Sequence, residues 1–434
     1  MFEFGKDLRK LFVQARESED LGWLELVSVD LLAREARDLT TDGGRVSCDR
    51  PSRTWQRASV LWREHARRSG QADSLAHALT TANDALAAAR SDDDRARAVL
   101  ARSMAFLTRF DLFGDTDALA EAGHAARSAT PRRLATLASS AGVHARIRAR
   151  QARLSDKAAD RLDAAALTDS ALHALQRHNP VEADDLRLEG AALALESGIL
   201  QRDARMLDQA GRDLQALVIA CSPDTRPLTR ARALTLCAAG LSALATMAGD
   251  ADAMQAGHVM FDAAADQFTP DHSPLDWVAI QIARAVDPAA PTGPLVQAER
   301  LISGRGTVLG GLALDLLVSR EVAAAAGDGD LMTLARIQTR IRRRLAERAG
   351  PPAVFDWAVD QIAMARVMIA RSALIGSSPD QAAFILTEAA EAAQYHGVPV
   401  LADRARGLIA SLSRGPGPYP PSATNGPFRK PGLA

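Results

Sequence analysis

The feature that most constrains this chain is a helix–turn–helix pattern that recurs from Trp55 to about residue 412. Each copy opens with a helix of small and large apolar residues and passes through a Gly-Asp turn or a relative of it. The second helix then begins Leu-x-x-Ala-x-x-x-Ala. Successive turns are about 38 to 51 residues apart, which is the spacing of solenoid repeats. A helix pair with an Ala-rich face buries too little surface alone, so stacked pairs must share one continuous core.

Five copies are clear enough to be defined by their turns, at Gly70, Gly114-Asp115, Gly249-Asp250, Gly327-Asp328 and Gly376. Weaker copies turn near Ser155-Asp156, near Gln201-Arg202-Asp203 and at Asp287-Pro288. In such turns Gly supplies the left-handed C-cap of the first helix, and Asp or Ser caps the N-terminus of the second. The pattern predicts about eight helical pairs.

The first copy carries a resemblance to a known family. It reads Trp55-x-x-Ala58-x-x-x-Trp62, then Gly70, then Leu75-x-x-Ala78-x-x-x-Ala82, which resembles a tetratricopeptide repeat of the long bacterial variety. Most other copies replace the aromatic pair by Ala or Leu and lack the closing Pro. The resemblance covers roughly residues 50–412 and implies an all-α, right-handed superhelical solenoid of about eight stacked hairpins with a concave protein-binding groove. The matching positions are packing residues, so no functional residue is carried over.

Composition agrees with helix packed on helix. Aromatic residues make up 4% of the chain, and Ala dominates the 47% that is hydrophobic. Strands favour β-branched and aromatic residues, whereas Ala is the best helix former. The net charge of -1, from 52 basic and 53 acidic residues, gives no global reason to expect DNA, RNA or an anionic membrane as a partner.

The sequence predicts a cytoplasmic protein. Its three cysteines, Cys48, Cys221 and Cys237, are far apart and odd in number, so neither a disulfide framework nor a zinc site is implied. The first twelve residues contain Glu3 and Asp7 and lack the apolar stretch of a secretory signal. No uncharged apolar run reaches about 18 residues, so no transmembrane helix is expected.

Four segments are predicted along the chain. Residues 1–50 form an N-terminal helical capping segment and loop, 51–286 a first block of repeats, 287–413 a second block, and 414–434 a disordered Pro/Gly-rich tail. The run of Pro, Ala and Gly at residues 287–294 is the best place for a hinge. The amphipathic start, residues 2–12, is interpreted as a cap for the solenoid end rather than a membrane contact. The tail is interpreted as a solubilising end, with a linear motif around Phe428 as the alternative.

Features that suggest an enzyme have simpler interpretations. Acid, imidazole and hydroxyl crowd into Asp271–Asp276, but catalytic triads are assembled from separate segments, and a helix cap explains the loop. The glycines of Gly304–Gly311 follow a predicted helix rather than a strand, so a phosphate-binding loop is not indicated. The nine histidines show no metal-binding spacing on one helix face. The sequence therefore predicts no catalytic residue, no cofactor and no metal.

The strongest charge feature is a basic helix with Arg at positions 336, 340, 342, 343, 344 and 348, mostly on one face. A smaller set is Arg146, Arg148, Arg150 and Arg153. Such a face can bind an acidic partner or nucleic acid, or can simply be solvated. The absence of interleaved aromatic residues for base stacking disfavours nucleic acid.

These patterns favour a non-enzymatic scaffold or adaptor that binds a partner protein through the solenoid groove. The candidate partner-binding residues are Arg336, Arg340, Arg343 and Arg344, together with Trp62 and Trp357 on condition that the two indoles are exposed. The alternative is a regulatory subunit that binds nucleic acid or an acidic partner through the basic helix Arg336–Arg348. A third hypothesis, an all-helical enzyme, rests on the Asp271–Asp276 loop alone.

Overall fold

The computed structural model describes residues 21–155, 157–287, 290–347, 354–395 and 398–412. Within these residues all regular structure is helical, which confirms the all-α prediction. A 3-10 turn at Gly22–Leu26 precedes the first α-helix. The eighteen α-helices are α1 Val29–Gly43, α2 Pro51–Ser69, α3 Ala72–Ala87, α4 Asp92–Phe113, α5 Thr116–Ser128, α6 Leu134–Leu154, α7 Ala158–His178, α8 Pro180–Gln201, α9 Ala204–Ala220, α10 Pro227–Ala248, α11 Ala251–Ala265, α12 Pro274–Arg284, α13 Thr292–Ile302, α14 Val308–Gly327, α15 Leu331–Glu347, α16 Val354–Ile375, α17 Asp380–Tyr395 and α18 Pro399–Leu412.

Helices α2 to α17 form eight consecutive pairs, with α1 before them and α18 after them. Helices pack against their neighbours in chain order, as α6 does on α7 and α10 on α11. Alternate helices also touch, as α6 does with α8, α8 with α10, and α14 with α16. This serial packing is that of an α-solenoid and agrees with the predicted stack of hairpins.

The first two pairs show the repeat in atomic detail. The buried Ser59 hydroxyl donates a 2.8 Å hydrogen bond to the Ala78 carbonyl, 19 residues later. Ser103, in the next pair, makes the same 2.8 Å bond to Ala122, again 19 residues later. A small Ser and a small Ala at these positions let the two helices of a pair approach closely enough for this contact. The equivalent bonds make the two pairs structural copies of each other.

The predicted turn chemistry is found at several pairs. Gly114 and Gly249 adopt left-handed φ values of 67° and 70°. The following carboxylates cap the next helix, because Asp115 accepts from the Ala118 amide at 3.0 Å and Asp250 accepts from the Ala253 amide at 3.0 Å. These caps satisfy backbone donors that a helix start leaves open.

One turn is displaced from its predicted position at Gly327-Asp328. Helix α14 continues through Gly327, and the left-handed residue is Gly329, with φ 67°. Asp330 then caps α15, accepting from the Thr333 amide at 2.9 Å. The sequence Gly-Asp-Gly-Asp offers the same capping pair in two registers, and the second register gives α14 additional helical hydrogen bonds.

Arg202 occupies a position that favours glycine. It lies between α8 and the capping Asp203 with φ 54°, and it is the non-glycine residue with positive φ in the described part of the chain. A side chain in this conformation costs about 1–2 kcal/mol, of which a glycine returns a part through the greater freedom of the unfolded chain. We therefore expect Arg202→Gly to raise the free energy of unfolding by about 0.5–1 kcal/mol, measured by urea titration. Arg202→Ala keeps the Cβ and should show no such gain, and equal gains from both variants would contradict the strain argument.

The described residues form two compact units. The first contains the residues up to Ser69, then Asp73–Leu107 and Glu121–Ser273; the second contains Gly70–Ala72, Thr108–Ala120 and the residues from Pro274 onward. In the first unit, Leu207, Leu214 and Leu217 of α9 pack with leucines of α8 and with Cys221. In the second, residues of α14 to α18 share one apolar core that includes Val318, Ile362 and Leu386. Ala contributes to both cores, as the composition predicts.

Helix α10 is the one described helix that is long and apolar enough to cross a membrane. No transmembrane helix is expected from the sequence, yet α10 has the length and the composition that a membrane span requires. Its first turns carry Arg230 and Arg232. It packs against α8, α9 and α11, and 28% of its apolar stretch is buried. A single helix of this kind is weak evidence for a membrane protein.

Some predictions concern residues outside the described ranges. They are the amphipathic start at residues 2–12, Arg348 of the basic helix, and the tail at 414–434. Within the 287–294 run, residues 288–289 are also outside. The adjoining carbonyls of Ala285, Asp287 and Ala290 all accept hydrogen bonds from the Arg320 guanidinium of α14.

Candidate functional site

In the first unit, α6 and α8 face each other through a regular polar ladder. Ser139 donates to Glu182 at 2.9 Å, Arg146 to Glu189 at 2.8 Å, and Arg153 to Glu196 at 2.7 Å. Each pair is separated by 43 residues, and successive rungs on each helix are seven residues apart. Seven residues are about two helical turns, so each set stays on one face. The ladder fixes the register of two alternate helices.

The centre of the ladder is a buried ion-pair network. Arg146 is 4% exposed, and it reaches both Glu189 and, at 3.0 Å, Glu182. Arg150 pairs with the second oxygen of Glu189. Burial alone would raise the pKa of Glu189, but the guanidinium groups of Arg150 and Arg146 outweigh it and lower that pKa to about 2. The same carboxylates raise the pKa of Arg146. Glu189 and Arg146 therefore remain charged at physiological pH.

A second network joins the start of α10 to the 3-10 turn. Arg226 pairs with Glu25 at 2.6 Å and with Asp185 of α8 at 3.1 Å. The Thr229 amide donates to Glu25 at 2.9 Å. The His272 Nε2 atom lies 2.7 Å from the Glu25 carbonyl oxygen. Residues more than 200 positions apart in the chain are thus held together within the first unit.

A third charged group lies on α2. Arg68 is fully buried and donates to the carbonyls of Val27 at 2.7 Å and Leu24 at 2.6 Å. Its Nε atom pairs with Glu64 at 2.7 Å, and Arg67 pairs with the same carboxylate. Burial opposes ionisation of Glu64, yet the two guanidinium groups hold its pKa well below the ordinary value.

We call the charged faces of α2, α6, α8 and the start of α10 the inner surface of the first unit. Arg63 of α2 lies on this surface and differs from the paired arginines described above. Among the described residues it forms no hydrogen bond or ion pair, although its side chain is only partly exposed. Burial lowers its pKa; Glu64 opposes that shift, and the nearby Arg146 and Arg67 add to it. The carboxylates of Glu64 and Glu182 favour the charge of Arg63 but do not bond to it, so its guanidinium can still accept a direct contact from an anion.

The predicted basic helix is α15, in the second unit. Arg336, Arg340 and Arg343 are exposed on its outer side, while Leu334 and Ile337 are buried. Arg340 pairs with Glu321 of α14. Arg344 differs from the others, since it bridges Glu299 of α13 and the buried Asp360 of α16, each at 3.3 Å. These three arginines are therefore exposed to solvent on one face of α15, whereas Arg344 bonds to carboxylates of two other helices of this unit.

The two candidate tryptophans are not exposed anchors. Trp62 is 6% exposed, and its indole N–H donates to the Thr40 hydroxyl of α1 at 3.1 Å. Its ring lies 4.8 Å from the His77 ring, centroid to centroid. Trp357 is partly buried against the core of the second unit. The condition attached to Trp62 is not met, because the bulk that makes tryptophan a good anchor also makes it a good core residue.

The loops that resembled catalytic motifs have structural explanations. The Nε2 atom of the His272 ring lies beside the backbone carbonyl oxygen of Glu25, and the His272 amide donates to the Thr269 hydroxyl at 3.2 Å. In the glycine loop, Thr307 caps α14 by accepting from the Gly310 amide at 3.2 Å. A Cβ added at Gly311 would lie 2.6 Å from the Phe355 ring, so glycine there permits close helix contact.

In the part of the chain that the structure describes, Cys221 is buried and Cys48 and Cys237 are half-buried. No group of three or more His, Cys, Asp or Glu side chains is arranged to hold a metal ion there. Burial raises the pKa of the Cys221 and Cys237 thiols to about 11. Both thiols are therefore protonated, and so poorly nucleophilic, at neutral pH. The Cys48 sulfur lies 3.5 Å from the Thr54 hydroxyl.

Comparison with known proteins places the chain in no family. No family model matches it, and no curated protein matches it significantly.

Proposed function

We propose that this chain is a non-enzymatic protein-binding scaffold, and that the inner surface of its first unit receives an acidic segment of a partner protein. The supporting observation is Arg63. Around it, Arg67, Arg68 and Arg146 are paired with carboxylates of the chain itself, whereas Arg63 has no such bond among the described residues. An incoming carboxylate would be stabilised by a guanidinium that is already partly desolvated.

The test is a charge reversal with a matched control. Arg63→Glu should abolish retention of partner proteins that the full-length chain captures from native lysate, as read by mass spectrometry. Arg205→Glu is the control, because Arg205 is exposed at the start of α9, away from the inner surface. We expect Arg205→Glu to retain the same proteins as the unmodified chain, and Arg63→Glu to bind the purified partner at least about tenfold more weakly.

The opposite outcome would remove the assignment of this site. Equal capture by the unmodified chain and by Arg63→Glu would show that Arg63 contributes nothing to partner binding. Far-UV circular dichroism of both variants checks that the helices are intact. Arg63 makes no bond that its substitution would break among the described residues, so loss of binding can be separated from loss of fold.

The exposed basic face of α15 supports a second candidate function, the binding of an acidic protein or nucleic acid by the second unit. Its test is the double variant Arg336→Glu/Arg343→Glu, with binding of labelled duplex DNA followed by anisotropy at low salt. Phosphate contacts are strongest at low salt, so an unmodified chain that shows no shift there does not bind nucleic acid. Loss of a protein partner in the double variant alone would instead assign this face to an acidic protein.

A further inference from the structure

The carboxylate of Glu25 lies in a pocket built by residues more than 200 positions away in the chain. Arg226 donates to it at 2.6 Å, and the Thr229 amide donates to it at 2.9 Å. Thr229 lies in the first turn of α10, whose N-cap residue, Arg226, makes no side-chain cap. A carboxylate from elsewhere in the chain therefore satisfies an amide that the helix start leaves open, beside a guanidinium. The start of α10 is thus a built site for one carboxylate.

Residues 22–27, which we call the Glu25 segment, are bound along their backbone as well. Arg68 of α2 donates to the carbonyls of Leu24 at 2.6 Å and Val27 at 2.7 Å. The Leu24 and Val27 side chains are 6% and 5% exposed, whereas Leu26 is 45% exposed. The segment therefore buries an acid with one apolar residue directly before it and another two positions after it. This pattern, apolar-Glu-x-apolar, is what the first unit binds within its own chain.

Each arginine that holds the Glu25 segment has a second carboxylate partner in the first unit. Arg226 also pairs with Asp185 at 3.1 Å, and Arg68 pairs with Glu64 at 2.7 Å. The Thr229 hydroxyl also reaches Asp185, at 3.3 Å. Release of the segment would leave both guanidinium groups paired, which avoids the large cost of an unpaired buried charge. The segment is therefore a partner that these groups can exchange.

Helix α1, which follows the Glu25 segment, has contacts of its own. Its N-cap is Ser28, whose side chain accepts a hydrogen bond from the first turn of α1. Trp55 and Trp62 of α2 donate to the carbonyl and the hydroxyl of Thr40 at 3.3 and 3.1 Å. Rotation of the backbone at the junction before Ser28 would release the segment while α1 stays bound to α2.

We propose that the Glu25 segment occupies the inner surface as an internal competitor, and that a partner segment of the pattern apolar-Glu-x-apolar displaces it. This inference rests on the proposed function, because the displacing segment belongs to the acidic partner assigned to this surface. The carboxylate of the partner takes over the contacts with Arg226 and Thr229, and its backbone carbonyls take over those with Arg68. Because the partner binds only chains whose own segment is released, its affinity falls with the fraction of chains in that state.

The test uses a fluorescein-labelled peptide with the sequence of residues 21–28 as the probe. In fluorescence anisotropy, full-length Glu25→Ala should bind this peptide at least about tenfold more tightly than the unmodified chain, because its own segment no longer holds the pocket. The matched control is Asp30→Ala, since Asp30 is an exposed acid in the first turn of α1; it should bind as weakly as the unmodified chain. A second peptide, with Gln in place of Glu25, should bind Glu25→Ala at least about tenfold more weakly than the first.

Two results would overturn the proposal. If Glu25→Ala bound the peptide no more tightly than the unmodified chain, the segment would be a fixed part of the fold. Equal binding of the Glu and Gln peptides would show that the pocket does not recognise a carboxylate. Far-UV circular dichroism checks that Glu25→Ala is folded, and Glu25→Gln, which keeps the shape of the side chain, should show the same gain.

The internal competitor and the proposed function can fail separately. Peptide binding as expected, together with no effect of Arg63→Glu on partner capture, would leave the competitor standing and remove the Arg63 site. Loss of partner capture in Arg63→Glu, together with equal peptide binding by Glu25→Ala and the unmodified chain, would remove the competitor alone.

Discussion

Replacing Glu189 by Ala is expected to lower the free energy of unfolding of the first unit by about 3 kcal/mol at pH 7. The carboxylate of Glu189 pairs with Arg146 and Arg150, whose side chains are 4% and 10% exposed. Removing it leaves Arg150 without this partner in a desolvated site and leaves Arg146 with Glu182 alone. Urea titration followed by circular dichroism measures the loss, and hydrogen exchange of α6 and α8 localises it.

The matched control is Glu196→Ala, on the same face of α8. Glu196 also pairs with an arginine of α6, at 2.7 Å, but its side chain is 49% exposed. Solvent screens such a pair, so its removal should cost no more than about 0.5–1 kcal/mol. If Glu189→Ala cost no more than Glu196→Ala, burial of the central rung would not be what stabilises the ladder.

The effect of Glu189→Ala should also depend on pH. The pKa of Glu189 is lowered from its ordinary value of 4.5 to about 2 in the folded chain. Its contribution to stability is therefore fully present above about pH 4.5 and is lost as pH falls toward 2. The difference in unfolding free energy between the unmodified chain and Glu189→Ala should shrink across that window. A difference that stays constant from pH 6 to pH 3 would contradict this linkage.

The fold could be predicted because its determinants are local. Gly114-Asp115 and Gly249-Asp250 mark turns through backbone conformations and caps that involve neighbouring residues only. The predicted turn at Gly327-Asp328 was wrong by two residues, since that sequence contains two equivalent capping pairs. Arg202 shows the limit of the glycine signal, because an arginine takes the left-handed position at an otherwise regular turn.

The inner surface could not be predicted because its pairs join helices that are not adjacent in sequence. Arg146 and Arg150 were recognised as part of a basic set, but their partners on α8 were not. Arg148, in the same set, points elsewhere and pairs with Asp160 of α7 at 2.8 Å. The constant separation of 43 residues along the ladder was a usable signal. Opposite charges at one fixed offset near the repeat length predict contact between alternate helices.

The exposure of a particular side chain could not be predicted from the sequence either. Trp62 and Arg336 were both candidates for partner contact, and only the structure separates the buried indole from the exposed guanidinium. Arg344 is one helical turn from Arg340, yet it turns inward to Asp360 and Glu299. A helix rotation of a few tens of degrees decides whether such a side chain is buried or exposed. Tertiary packing sets that rotation.

Asp315→Ala is expected to lower the unfolding free energy of the second unit by about 3–5 kcal/mol at pH 7. Asp315 of α14 is 1% exposed and pairs with Arg366 of α16 at 3.2 Å and Arg404 of α18 at 2.5 Å. Burial opposes its ionisation, but the two guanidinium groups lower its pKa below the ordinary value. The stability that it contributes is therefore present at neutral pH and lost as pH falls through the folded-state pKa.

Asp403→Ala is the control for this prediction, because Asp403 on α18 pairs with Arg406 and is 72% exposed. It should cost less than about 0.5 kcal/mol in the same urea titration. If both variants behaved alike, the buried pair would not hold α14, α16 and α18 together. If Asp315→Ala lowers the free energy of unfolding more than Asp403→Ala does, the second unit behaves as the first is expected to with Glu189→Ala. Both units are then stabilised by a buried ion pair between alternate helices. In each unit, a buried ion pair would then add a registered polar contact between alternate helices to their apolar packing.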